Sequence, residues 1–184
     1  MDRDFFIIHK MKNGDEAAME AFVRRYYPLI LKYCYYHIAI RSFAEDMTQE
    51  TFEKFFHSLP DYQHRGKALN YLYTIAGNLC RDFYKREKRQ CPGIINEQEK
   101  QGIYKEQMMQ MDQAEETDCR IDMERALEML PEELREVIIL YYFQELKLSE
   151  VAEVLKIGLP LVKYRIKRAK EMLGEILKEE GNGV

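Results

Sequence analysis

The 184-residue chain contains no tryptophan, and its four cysteines, at 34, 80, 91 and 119, form no CxxC pair. Neither a zinc site nor a disulfide framework is indicated. Cys34 and Cys80 read as core residues, Cys91 and Cys119 as incidental thiols. Long apolar runs are missing too: none approaches the roughly 18–20 residues of a membrane-spanning helix. The leading MDRDFFIIHKMK has acids where a secretion signal has a basic start and a long apolar centre. A cytoplasmic protein with no membrane insertion is expected. There is no glycine-rich phosphate loop, and the histidines at 9, 37, 57 and 64 are scattered. No catalytic residues, metal or cofactor are therefore expected, and the chain does not read as an enzyme. No stretch alternates between apolar and polar residues in the manner of a strand.

What the sequence has is apolar residues, 46% of the total, recurring at helical spacing almost throughout. An all-α fold follows, with two small helical domains joined by a linker. Helices are expected from about Asp15 to Tyr26, then beyond Pro28 to about Ile40, over 44–58, and over 69–88. From Cys91 to Asp118 the composition shifts to Glu, Gln, Met and Asp behind Pro92-Gly93, which reads as a linker. Further helices are expected at about 120–130, 132–144, 149–156 and 160–178. The expected domains are thus 1–90 and 120–184, with 91–119 between them. The formal charge of −4 is unevenly spread. Residues 1–90 carry 15 basic and 12 acidic groups, 91–119 carry 2 and 7, and 120–184 carry 11 and 13, or +3, −5 and −2. Two segments concentrate positive charge: RDFYKREKR at 81–89, and LPLVKYRIKRAK at 159–170, which has five basic residues and no acid.

Three helices are two-sided. In AEDMTQETFEKFF, residues 44–56, Asp46, Gln49, Glu50 and Glu53 share a stripe about 100° wide, while Met47, Thr51, Phe52, Phe55 and Leu59 gather opposite. Ser42 and Glu45 have the spacing of a capping box at its start. Alone, the polar side reads as solvated surface. In the helix of 69–88, Leu72, Ile75, Ala76, Leu79 and Phe83 form a core side. Tyr71, Thr74, Asn78, Arg81, Asp82 and Lys85 line up on the other. Aromatic, amide and basic groups in one line suit an unpaired nucleic-acid strand, although a generic surface has the same composition. Near the C-terminus, Val151, Ala152 and Leu155 face a core, a short Lys156-Ile157-Gly158 turn follows, and Val162, Ile166, Ala169 and Leu173 stripe the next helix. That pattern is a helix-turn-helix. Pro160 suits its first turn. Leu161, Lys163, Tyr164, Lys167 and Arg168 face outward, as in a helix that enters a DNA groove.

Taken together, these segments resemble the bacterial RNA polymerase sigma factors of the extracytoplasmic-function (ECF) group, across about residues 15–89 and 120–178. The resemblance is carried by FVRRYYPLI, AEDMTQETF, LNYLYTIAGNLCRDF and LPEELREVIILYYFQELKLSEVAEVLKIGLPLVKYRIKRAKEML, in that order. It implies that residues 1–90 are sigma region 2, which docks on core polymerase and recognises the promoter −10 element. It also implies that 120–184 are region 4, which recognises the −35 element. The stripe Asp46, Gln49, Glu50 and Glu53 would meet the β′ coiled coil. Arg65, Lys67, Tyr71, Asn78, Arg81 and Lys85 would serve the −10 element, with a flipped base in a pocket and Asn78 at the base-reading position. Leu161, Lys163, Tyr164, Lys167 and Arg168 would serve the −35 element. The implied partners are core RNA polymerase through the β′ coiled coil and β flap, promoter DNA, and an anti-sigma factor. Two departures from the family pattern stand out. Tyr71 stands where a Trp is usual. The turn commonly written Gly-Ile-Ser, then Gly-Thr-Val-Lys-Ser, is here Lys156-Ile157-Gly158, then Pro160-Leu161-Val162-Lys163-Tyr164. A helix-turn-helix regulator acting without polymerase is the alternative.

Overall fold

The computed structural model describes residues 3–38, 40–64, 66–90, 126–127 and 129–181. Among them there is no strand, and no helix is long and apolar enough to cross a membrane. The chain divides into two compact units, Met1–Gln107 and Met108–Val184. The expected linker 91–119 lies outside the described residues, as does most of the helix expected at 120–130.

The first unit opens with a helix that the sequence did not announce, α1, Arg3–Lys12. It ends where Gly14 takes φ 81, with the Asn13 and Gly14 N–H groups on the Lys10 and Met11 carbonyls, both at 3.0 Å. Glycine adopts that left-handed backbone without the clash of a Cβ. Asp15 then caps α2, Glu16–Ile38: the Ala18 N–H donates to its carboxylate at 3.0 Å. Pro28 lies inside α2, and where two helices were expected a single one spans the proline. The ring removes one backbone hydrogen bond, a loss of about 3 kcal/mol in an isolated helix. Phe22 and Tyr26 before it and Ile30, Leu31, Tyr33 and Cys34 after it are all buried. At about 1.5–3 kcal/mol for each large apolar side chain, their burial holds the helix through the proline.

The third helix, α3, spans Arg41–Ser58 and begins before the expected capping box. Ile40 is its N-cap, with no side-chain cap, and Ser42 lies exposed in the first turn. Glu45 pairs instead with Arg41, one turn back, at 2.8 Å. The inward face is as the sequence indicates: Met47, Thr51, Phe52, Phe55 and Leu59 are buried, with Ala44 and Thr48 beside them. Thr48 and Thr51 satisfy their hydroxyls on the Ala44 and Met47 carbonyls, both at 2.7 Å, which lets two polar side chains sit in the core. Phe22 of α2 stacks on Phe55 with centroids 4.8 Å apart, and meets Phe52 edge-on. After a loop, α4 covers Ala68–Gln90. Its Leu72, Ala76, Leu79 and Phe83 are buried and Ile75 half-buried. Tyr73 adds its ring to Tyr33 of α2 at 5.0 Å. Cys34 and Cys80 are both buried thiols.

In the second unit, Ala126, Leu127 and Met129 are helical, and α5 covers Glu132–Ile138. The single helix expected over 132–144 instead passes into a π-helical turn at Ile139–Phe143, where the Gln144 N–H reaches back to the Ile139 carbonyl at 3.0 Å. Five consecutive residues, Glu136 to Leu140, are buried. They cover more than one face of an α-helix, so this element is enclosed on several sides. Next come α6, Leu148–Leu155, and α7, Leu159–Gly181. Leu127, Leu130, Leu134 and Ile138 pack with Ala169 and Leu173 of α7 in one apolar cluster. The stripe Val162, Ile166, Ala169 and Leu173 is buried throughout, as expected. On α6 the inward pair is Val151 and Val154, whereas Ala152 and Leu155 are half-buried. The face is thus rotated by one residue from the expected one.

Candidate nucleic-acid and partner interfaces

The expected site residues on α3, α4 and α7 lie on helices whose other side is core. On α3, Asp46, Gln49 and Glu53 are exposed, and Glu50 is half-buried with its carboxylate 3.1 Å from Lys54, one turn on. The buried phenylalanines fix the helix rotation, so the acids and the amide emerge together on one side. This is a rigid anionic and hydrogen-bonding strip, suited to a basic partner helix.

On α4, Asn78 and Lys85 are exposed, while Tyr71, Thr74 and Arg81 are half-buried. Asn78 and Arg81 act as a pair: the Arg81 guanidinium donates to Asn78 Oδ1 at 3.0 Å. The Thr74 hydroxyl is engaged by the Asn70 carbonyl at 3.0 Å, so it bonds within the helix. Tyr71 is held from several directions. Its ring lies 5.0 Å from Tyr62 and 6.1 Å from Phe55, and its hydroxyl is 3.4 Å from Ser58 Oγ. Lys67 is exposed immediately before the helix. Arg65, expected in the same loop, lies outside the described residues.

The aromatic group around Tyr71 includes two residues that helical spacing could not single out. Tyr62 lies in the loop and contacts His64 at 3.2 Å through its hydroxyl. A tyrosine and a histidine in a segment with no period carry no facing information until the loop folds back. The result is a tier of rings next to an amide and a guanidinium, a combination that can stack a base and bond its edge.

On α7, Leu161, Lys163, Tyr164, Lys167 and Arg168 are all exposed, Tyr164 by 62%. The other two cations of the 159–170 segment have partners within the second unit. Arg165 pairs with Glu133 of α5 at 2.5 Å and is mostly covered. Lys170 lies over the Tyr142 ring at 5.1 Å, and its hydrogen bond to that tyrosine raises its pKa. Arg168 has Glu171 at 3.3 Å, one turn along the exposed surface. The turn ahead of α7 is closed by Lys156 in a left-handed conformation, φ 54 and ψ 41, with the Ile157 N–H on the Ala152 carbonyl at 3.1 Å. This turn sets the angle at which α7 leaves α6, and leaves Leu161 and Lys163 at the exposed start of the helix. Among the described residues no cluster of three or more histidine, cysteine or acidic side chains could hold a metal.

Comparison with known proteins agrees with this arrangement. Residues 22–90 match the family model for sigma-70 region 2, and residues 120–173 match that for sigma-70 region 4. The chain is 29% identical over 181 residues to the ECF RNA polymerase sigma factor SigW of Bacillus subtilis, covering 94% of this chain and 95% of that protein. It is 30% identical over 162 residues to the RNA polymerase sigma factor YlaC of the same organism, covering 87% and 91%. A solved structure of CnrH in complex with the cytosolic domain of CnrY shares the fold, with TM-score 0.71, 22% identity and coverage of 97% and 99%. A co-crystal structure of RpoE with the anti-sigma factor NepR from Bartonella quintana gives TM-score 0.64 at 20% identity, covering 86% and 96%. Two matched regions in sigma order, with full-length relatives on both, set aside a regulator that acts apart from polymerase. The chain belongs to the ECF group of the sigma-70 family of RNA polymerase sigma factors.

Proposed function

We propose that the chain docks on core RNA polymerase through the exposed side of α3 and directs it to promoters by two DNA contacts. Asp46, Gln49, Glu50 and Glu53 meet the β′ coiled coil. The loop after α3, with Arg65 and Lys67, and the outer side of α4, with Tyr71, Asn78, Arg81 and Lys85, take the opened −10 element. Leu161, Lys163, Tyr164, Lys167 and Arg168 of α7 enter the major groove at the −35 element, and the second unit also contacts the β flap. The domains in this reading are 1–90 and 120–184, with 91–119 as the tether.

The observation that carries the reading is segregation on α3: a buried inner face, apolar apart from two threonines bonded within the helix, behind an outer face of acids and an amide, on a chain whose basic segments lie on other helices. A protein binding only DNA gains nothing from an anionic strip. The chain supplies positioning and recognition, and the polymerase supplies the chemistry in the cytoplasm. The two solved relatives sharing the fold are complexes, one with a named anti-sigma factor, and we take a restraining protein of that class as a partner here. Transcription reconstituted from core polymerase, this chain and a genomic promoter pool tests the function. Promoter-specific start sites are expected only when the chain is present, and identical products with core alone would refute it.

A further inference from the structure

Helix α1 grips both ends of the loop that precedes α4. At the near end, the Lys12 ammonium donates to the carbonyl oxygens of Pro60 at 3.1 Å and Tyr62 at 2.7 Å. At the far end, Asp4 accepts the N–H of Ala68, the first residue of α4, at 3.3 Å. A carboxylate therefore sits at the N-terminus of the helix carrying Tyr71, Asn78 and Arg81, where the backbone dipole favours it. Asp4 is itself buried and anchored on α2, with the Tyr26 hydroxyl at 2.5 Å and the Arg25 guanidinium at 3.2 Å. Between the two grips, Tyr62 lays its ring 5.0 Å from Tyr71 and 5.5 Å from Phe55. Lys12 thus fixes the backbone of the residue whose ring braces Tyr71.

We infer that α1 is a clamp for the −10 reader: Lys12 and Asp4 are positioning residues that hold the loop and the start of α4 in the shape a single strand binds, without touching DNA. The inference rests on the assignment of the −10 element to α4 and this loop. An unheld loop loses backbone freedom on binding, at about 1 kcal/mol for each residue ordered, and a clamp removes part of that cost beforehand. Lys12 is exposed and Asp4 buried, so Lys12 can be changed without opening the core.

The test uses the full chain assembled with core polymerase. Its probe is a fork-junction DNA selected by the wild-type holoenzyme from a pool randomised in its single-stranded −10 segment. Lys12→Met should weaken binding to the selected fork by about threefold to tenfold, the range for losing one or two hydrogen bonds. Lys12→Arg, which can still donate to both carbonyls, should recover most of it. Affinity for core polymerase and the melting temperature should match wild type in both. Asn78→Ala runs alongside and should lose selectivity at one base. Loss with Asn78→Ala but none with Lys12→Met overturns the clamp alone. No loss with either overturns the −10 assignment and the clamp with it. A Lys12→Met defect that follows a lowered melting temperature and is not recovered by arginine assigns α1 to folding, and also overturns the clamp.

Discussion

Lys156 occupies a backbone position that suits glycine. Its φ of 54 puts a Cβ against its own carbonyl, a conformation about 1–2 kcal/mol above the right-handed one for residues other than glycine. The family pattern that the sequence resembles has glycine first in this turn, where this chain has Lys156. Lys156→Gly should therefore stabilise the second unit, by about 0.5–1 kcal/mol once the greater freedom of glycine in the unfolded chain is subtracted. Thermal unfolding followed by circular dichroism should show a midpoint a few degrees higher; a lower one would mean the lysine side chain contributes more than the backbone strain removes. Sequence spacing names the residues of this turn, but not which of them turns left-handed. That depends on where α6 stops, and α6 stops where Val151 and Val154 have packed. Asn78 shows the same division. Its place on the outer line of α4 follows from a 3.6-residue period, while its pairing with Arg81 at 3.0 Å is a matter of rotamers that only the folded helix selects.

Among the elements, α3 and α7 were legible because their two faces differ in kind. A row of phenylalanines cannot share a surface with Asp46, Gln49 and Glu53, so periodicity alone orients the helix. The double substitution Asp46→Ala with Gln49→Ala should weaken core polymerase binding in a pull-down or titration while helical content stays intact. Exposed positions of this kind rarely cost more than about 0.5 kcal/mol of stability. Undiminished core affinity would move the docking surface elsewhere. For α7, neutral replacements of Lys163, Lys167 and Arg168 should each lower the slope of log affinity against log salt by about one, with little change in sequence preference. Arg165→Gln is the contrasting variant. Its cation is held by Glu133, so it should cost stability and leave the salt slope nearly unchanged. A residue that loses affinity at one base position with no salt effect is instead reading that base. The elements that local signals misplaced have a common cause. Pro28, the Ser42–Glu45 spacing and the run 132–144 were each read from local signals, whereas the folded chain carries α2 through Pro28, starts α3 at Arg41 and passes into a π turn at Ile139.

At the scale of the whole chain, net charge misleads and its distribution informs. The sum of −4 hides an acidic segment, 91–119, between two stretches that hold the cations proposed to meet DNA. That segment lies outside the described residues, and its charge alone supports the expectation that it competes with DNA for those cations in the free protein. Neutralising Glu97, Glu99, Glu115 and Glu116 should raise the DNA affinity of the isolated chain at low salt, and the gain should shrink as salt rises toward a screening length of about 8 Å. Equal affinities at every ionic strength would make the segment a passive tether.

By itself the sequence determined the fold class, the inward faces of α3, α4 and α7, and the membership of the family. Each of these is written in the order and spacing of apolar and polar residues, which local chain geometry translates directly into faces. Only the tertiary structure decided that α1 reaches the loop before α4, that Tyr62 meets Tyr71 and His64 in turn meets Tyr62, that Arg165 is held by Glu133, and that Lys170 lies over the Tyr142 ring. These contacts join residues up to 64 positions apart in the chain. No period links such residues, and their meeting is fixed by how the helices pack.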